Sequence, residues 1–378
     1  MPDFPVALLV TRNFPPLVGG MENVNQRILE ALAEDWRVNL CGPTGCLKFA
    51  PSATLVRQSA LRPLWRYLVA ATFAAGFLAM KMRPRLVLAG SGLTSPIAWL
   101  VARASGARFV VYLHGLDIVA PSVLYHYLWL PFIRRADVVL VNSSNTRKLG
   151  VSNGVLDSRI RMLHPGTTIP VLEKDAGSRF LRSKGLPDQK VLLSVGRLTR
   201  RKGLAEFVSE SLPAILAAHP DVLLVVIGDD ATDALHTPAG SEKRRIIANA
   251  KKAGVETAVR FVGRCSDAEL ADAYQAAHVH VFPVLESRND VEGFGMVALE
   301  AAAHGLWTVA FAVGGVPDAV GEASGRLLPS GEYALLAEAI TDRLSAPLLD
   351  SERSRVREFA KDKSWSAFGV RLRRLVKE

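Results

Sequence analysis

VFPVLESRNDVEGFGMVALEAAAHGLWTVAFAVGGVPDAV, residues 281–320, is the stretch on which the reading of the chain turns. It leaves an apolar strand, crosses a polar loop holding Gly293 and Gly295, enters a helix, and returns to a second apolar run, WTVAFA (307–312). Runs made continuously of Val, Leu, Ile and Phe suit strands buried on both faces, which is the situation of a parallel sheet covered by helices. Outward from this stretch the same pattern recurs at VALLV (6–10), RLVLAG (85–90), RFVVYLHG (108–115), DVVLVN (137–142), KVLLSVGR (190–197), VLLVVIGD (222–229), VRFVG (259–263) and VHVFP (279–283). The chain therefore reads as α/β, with two series of strands. The first ends between Arg161 and Pro170, and the second begins at Lys190.

A length of 378 residues, 49% hydrophobic and 22% charged, also favours two domains over one. The expected division is 1–170 for an N-terminal domain, 171–355 for a C-terminal domain, and 356–378 for a basic helical tail packing back towards the first domain. The three cysteines, Cys41, Cys46 and Cys265, form neither a disulfide framework nor a zinc pattern. The N-terminal MPDFPVALLV has an acidic residue where a signal peptide needs a basic one, so it reads as the first core strand of a cytoplasmic protein.

The net charge of +10 is unevenly placed. Between Trp36 and Leu116 there are ten basic residues and no Asp or Glu. This suggests a local polyanionic partner. The most apolar window, LWRYLVAATFAAGFLAM (64–80), is short for a bilayer span and contains Arg66, so a buried or interfacial helix is expected. Nucleic acid is disfavoured as partner, because the cations lie amid core-like apolar runs without a recognition motif.

Three places carry candidate chemistry. After the first strand, Gly19 and Gly20 precede an amphipathic helix, where a backbone can approach an anion; a plain tight turn is the alternative. LLSVGRLTRRKG (192–203) puts Gly196, Arg197, Lys202 and Gly203 where a strand ends and a helix starts, a setting that suits a diphosphate. In residues 281–320, Glu292 and Glu300 are separated by seven residues, with Gly293, Phe294 and Gly295 between a strand end and the start of a helix. Carboxylates so near an anion site need other partners, such as sugar and ribose hydroxyls, although acidic residues in a first turn are also ordinary helix-dipole partners. No GxGxxG follows the first strand, which disfavours a dehydrogenase.

With these three motifs in this order, the chain resembles, nearly end to end, the retaining GT-B-fold glycosyltransferases that include the lipopolysaccharide and phosphatidylinositol mannoside transferases. The resemblance implies two Rossmann-like domains with parallel sheets facing across a cleft that closes on a nucleotide diphosphate sugar. It implies that Arg197 and Lys202 grip the diphosphate with Gly196 beside them, that Glu300 holds the ribose, and that Glu292 holds the donor sugar. The backbone around Phe294, Gly295, Met296 and Val297 would join Glu292, Gly20 would face the phosphates from the first domain, and Arg264 would mark the base. His114 and Asp117 in YLHGLDI would line the acceptor side. Two departures from the pattern are HPGTT (164–168), where Thr168 stands in place of an acidic residue, and SRNDV (287–291), which looks longer than in many relatives and closer to the mannosyl branch.

The expected activity is transfer of a hexose, GDP-mannose favoured slightly over a UDP-sugar, to a glycan or glycolipid in cell-surface polysaccharide or glycolipid synthesis. No metal or cofactor is expected. The leaving diphosphate would be stabilised by Arg197, Lys202 and the helix start near Gly295, with the donor phosphate as base on the front face. The basic first half would dock on anionic lipid at the inner face of the plasma membrane. A nucleotide-sugar 2-epimerase of the same fold and a silent nucleotide-sugar-binding scaffold are the alternatives.

Overall fold

The computed structural model describes residues 4–119, 123–230, 241–287 and 290–378. They form two compact units, Met1–Gly166 with Trp365–Glu378, and Thr167–Ser364.

The first unit alternates strands and helices: β1 (Val6–Val10), α1 (Gly20–Leu32), β2 (Arg37–Pro43), β3 (Leu55–Ser59), α2 (Leu64–Met82), β4 (Leu86–Ala89), α3 (Ser95–Ser105), β5 (Arg108–Leu113), α4 (Val123–Leu128), α5 (Leu130–Ile133), β6 (Val138–Val141), α6 (Ser144–Ser152) and β7 (Ile160–Met162). Its strands make one parallel sheet in the order β3-β2-β1-β4-β5-β6-β7. Right-handed crossovers send α1 to one face and α2, α3 and α5 to the other. That second face closes over Leu8, Val10, Val87, Val111 and Val139 with Tyr67, Ala71, Ala75 and Leu78 of α2, Ile97 and Val101 of α3, and Ile133 of α5.

The second unit repeats the scheme with α7 (Ala176–Ser183), β8 (Lys190–Val195), α8 (Leu204–Glu210), α9 (Leu212–Ala218), β9 (Val222–Ile227), α10 (Ser241–Lys252), β10 (Val259–Gly263), α11 (Asp267–Ala276), β11 (Val279–Phe282), α12 (Met296–Ala303), β12 (Thr308–Phe311), α13 (Val316–Ala319), β13 (Gly325–Leu328), α14 (Tyr333–Ser345) and α15 (Asp350–Lys361). Its parallel sheet runs β10-β9-β8-β11-β12-β13. Register is even from Lys190 opposite Val222 to Val195 opposite Ile227, as expected of strands buried along their whole length.

All nine apolar runs are strands. The reading by apolar runs passes over β2, β3, β7 and β13. β3, β7 and β13 are edge strands with one polar face, and β2 begins on an exposed Arg37 and carries Asn39.

The units part at Gly166/Thr167 rather than after 170, and the returning segment is shorter than 356–378. α15 stays with the second unit, where Arg357 donates to the Ala303 carbonyl at 3.1 Å. Only the last helix, α16 (Trp365–Lys377), joins the first unit. It buries Phe368, Leu372 and Val376, approaches α1 closely at Gly369, and pairs Arg373 with Glu34 at 2.8 Å and Lys377 with Asp35 at 2.6 Å. Segment 64–80 is α2; among the described residues no helix is long and apolar enough to cross a membrane.

Candidate active site

In a doubly wound sheet, crossovers diverge at one point, and the crevice beyond the carboxyl ends of the strands there is the natural ligand site. In the second unit that point lies between β8 and β11. β8 runs out into Gly196 and Arg197, and β11 into the loop 283–295. A 3₁₀ turn, Arg200–Lys202, follows and is locked at Gly203, whose φ is +68° and where a Cβ would lie 2.0 Å from the Pro283 carbonyl oxygen. Any other residue there would push the turn off the β11 loop. The turn sets Lys202 Nζ 4.5 Å from the centre of the Phe282 ring. A Cβ on Gly295 would lie 3.0 Å from the same ring. Gly196, Arg197, Lys202 and Phe282 line one small recess. Lys202 and Gly295, far apart in sequence, thus meet at one phenyl ring on the predicted edge.

Glu292 is tied into a cluster of charges. Its Oε2 accepts from Lys202 Nζ at 2.7 Å and also from Arg201 Nη1, while Arg201 Nε donates to Asp290 Oδ1 at 2.9 Å. The side chains of Arg201, Lys202 and Glu292 are 11%, 13% and 12% exposed, so this is an internal ion cluster. Burial would push the Glu292 carboxyl up, but the charges and hydrogen bonds of Lys202 and Arg201 outweigh it and hold it at about 2. Burial pulls Lys202 below the usual ammonium range, with Glu292 opposing. Arg201 was not singled out from the sequence. The signal in the sequence is a run of three cations, Arg200, Arg201 and Lys202, of which the tight turn brings Arg201 and Lys202 to one carboxylate oxygen.

The loop carrying Glu292 is fixed from behind. Gly315 N–H donates to the Glu292 carbonyl at 2.9 Å, and a Cβ on Gly315 would lie 2.1 Å from the Gly293 oxygen. α12 then starts at Gly295, in left-handed conformation, with no side chain capping the N-terminus. Met296 and Val297 therefore bring first-turn N–H groups to the edge that bears Lys202. Phe294 is buried against the core. Glu300, on the same helix, accepts from the Tyr274 hydroxyl at 3.0 Å; burial raises its pKa, with Tyr274 opposing. Arg264 follows β10 and is 72% exposed, 3.4 Å from Asp229 at the end of β9. Within the second unit the structure thus brings together Gly196, Arg197, Lys202, Glu292 and Gly295, with Glu300 on the helix that Gly295 opens. Of the SRNDV insertion, Arg288 and Asn289 lie outside the described residues.

The first unit has its own divergence point, between β1 and β4. Gly20 opens α1 and Gly19 precedes it in extended backbone, where a Cβ would meet the Glu22 carboxylate at 2.4 Å. Glu22 is held by Asn13 at 2.9 Å. His114 is buried, and its Nε2 lies 2.9 Å from the Gly90 carbonyl, so that nitrogen carries the proton and donates. Asp117 accepts backbone N–H from His114 at 2.9 Å, Gly115 at 3.1 Å and Gly92 at 2.9 Å. Its carboxylate braces the loops after β4 and β5, a structural task that the motif alone did not reveal.

Two family models match the chain: one described as Glycosyltransferase Family 4 over residues 18–169, and one described as Glycosyl transferases group 1 over residues 179–363. The chain is 27% identical to the GDP-mannose-dependent alpha-(1-6)-phosphatidylinositol monomannoside mannosyltransferase of Mycolicibacterium smegmatis, over 98% of this chain and 97% of that one. It is 29% identical to D-inositol 3-phosphate glycosyltransferase 1 of Catenulispora acidiphila, over 79% and 73%. Among solved structures, a sucrose-phosphate synthase from Thermosynechococcus elongatus superposes with a TM-score of 0.79 at 25% identity, covering 99% and 98%. An Anabaena protein in complex with UDP and glucose does so with 0.79 at 17%, covering 98% and 99%. With both halves of the chain matched by the family models and the fold shared along nearly its whole length, the chain belongs to the GT-B-fold glycosyltransferases.

Proposed function

We propose that the protein transfers a hexose, with retention of configuration, from a nucleotide diphosphate sugar to a glycan or lipid-linked acceptor in the synthesis of a cell-surface polysaccharide or glycolipid. The observation that carries this reading is the meeting of Lys202, Arg197 and the uncapped start of α12 at the divergence point of the second sheet. Breaking the sugar–phosphate bond leaves negative charge on the diphosphate, and fixed donors aimed at that charge are the largest single source of rate. Two cations and first-turn N–H groups supply it from protein alone, which supports a route without metal or cofactor. Glu292, the carboxylate nearest Lys202, is engaged by two cations, which supports a front-face mechanism with the donor phosphate as base rather than a covalent glycosyl-enzyme. GDP-mannose is the favoured donor, in keeping with the mycolicibacterial relative. Thermal-shift measurements against a panel of nucleotide sugars test it: GDP-mannose is expected to raise Tm most, and no shift with any nucleotide sugar would sink the reading.

The acceptor side is proposed to face anionic lipid. α2 turns Tyr67, Ala71, Ala75 and Leu78 inward and leaves Trp65, Val69, Phe73, Phe77 and Met80 on its outer face, with Phe73 76% and Met80 77% exposed. Arg66 lies over Trp65 at 5.3 Å and Arg57 over Phe77 at 4.8 Å, so cations border the stripe. The helices on this face, α2, α3 and α5, contain no acidic residue. An apolar stripe inside a cationic, carboxylate-free border is complementary to an interface of acyl chains and negative headgroups.

A further inference from the structure

The diphosphate reading, on which the proposed role of Arg201 depends, meets a conflict in the ion cluster. Lys202 is needed for the leaving group, yet its ammonium is committed to Glu292 at 2.7 Å. If Lys202 turned to a diphosphate alone, it would strand a carboxylate that is 12% exposed, and a buried charge robbed of its counter-ion is strongly disfavoured. Arg201 removes the conflict. It reaches the same Oε2 of Glu292 through Nη1 while its Nε is held by Asp290 at 2.9 Å. Its backbone carbonyl is tied to the Leu285 N–H at 2.7 Å, which fixes the turn against the Glu292 loop. A guanidinium keeps its proton under all ordinary conditions and spans two carboxylates with a planar fork, whereas the buried Lys202 ammonium is pulled towards neutrality.

We propose that Arg201 is a positioning residue: the standing counter-ion of Glu292 that frees Lys202 for the diphosphate. Glu292 has two cations in the structure; with nucleotide bound, Lys202 passes to the phosphate oxygens and Arg201 keeps Glu292 ionised and oriented towards the sugar. Asp290 holds the fork so that Arg201 does not follow Lys202 to the anion.

The experiment is a double-mutant cycle on the full chain, with GDP and UDP as probes in isothermal titration. Arg201→Met is expected to weaken binding of the preferred diphosphate by at least about tenfold, since Lys202 can no longer leave Glu292. Glu292→Gln alone should bind it at least as tightly as the parent. The double variant should return to within about threefold of Glu292→Gln, because the stranded charge is gone, and Arg201→Lys, which keeps a cation but loses the fork to Asp290, should recover only part of the affinity that Arg201→Met loses. Parent-like binding by Arg201→Met overturns the proposal. So does a double variant as weak as Arg201→Met, which would make Arg201 a direct phosphate ligand or a fold determinant. Should Arg201→Met fail to melt cooperatively, Glu292→Gln decides: a tenfold loss there overturns the proposal and parent-like affinity supports it. Parent protein that binds neither GDP nor UDP would sink the diphosphate reading itself, a distinguishable result.

Discussion

The two units share one α/β scheme and handle charge in opposite ways. The first has 22 basic against 9 acidic residues, with acids gathered at α1: Glu22 and Glu30 lie on that helix, and Glu34 and Asp35 just beyond it pair with α16. The second has 24 basic against 27 acidic residues, so its charge is balanced in number, and several of its cations are paired, as in Arg179 with Asp272 at 2.6 Å and Arg245 with Glu206 at 2.6 Å. Surplus charge spread on a surface acts at long range and is screened by salt; a buried cluster acts at one point and is screened little. The first arrangement suits a broad anionic partner, the second a single small anion.

The hardest test of this contrast is removal of the cations at the second unit's recess, the exposed Arg197 and the buried Lys202. Arg197→Ala or Lys202→Ala is expected to cost about 10²–10³ in kcat, the usual effect of deleting one fixed donor to a developing anion, with cooperative melting retained. Turnover at the parent rate in either variant would break the assignment of the second unit.

On the first unit, replacing Trp65, Phe73 and Met80 together by Ser should lower partition onto anionic vesicles at least about tenfold, each large apolar side chain being worth roughly 1.5–3 kcal/mol when fully buried. GDP affinity should not change. Binding should also fall with added salt. Undiminished flotation of the triple variant would end the proposed role of α2, and no flotation of the parent at low salt would end the membrane reading.

The acid limb of stability should belong to the second unit. Glu292 is held at about 2 against an ordinary 4.5, so its contribution to folding is fully present above 4.5 and is lost as pH falls towards 2. Glu292→Gln should flatten Tm in that window. An unchanged acid limb would mean that the cluster does not couple to folding.

The smallest effect is expected at Tyr274. Its hydroxyl holds down a Glu300 pKa that burial raises, so Tyr274→Phe should raise it further. Donor affinity near neutral pH should drop a few-fold, as for loss of one hydrogen bond to a charged group, and recover as pH rises. A loss independent of pH would instead point to a packing role for the ring, which stacks on His304 with centroids 4.9 Å apart.

Much of the fold was legible along the chain because the relevant physics is local. Continuous Val and Leu runs mark strands buried on both faces, and glycines at Gly196, Gly203 and Gly295 mark turns at strand ends. The apolar window 64–80 was equally visible, but its two faces were not, since hydrophobicity alone does not say which side the sheet covers. α16 was foreseen as a returning tail, yet its start at Trp365 depended on which helix α1 could receive, and the close approach at Gly369 settles that.

The amino-acid order by itself determined the α/β class, the two series of strands, the turns and loops that bear Arg197, Lys202 and Glu292, and the helix that bears Glu300. Only the tertiary structure decided that Arg201 shares Glu292 with Lys202, that Asp117 is occupied by three backbone N–H groups, and that α2 shows its aromatic side to solvent. The reason is that secondary structure follows from neighbours a few residues apart, whereas an ion cluster joins side chains some ninety positions apart, brought together by crossovers and by glycine contacts that no periodicity encodes.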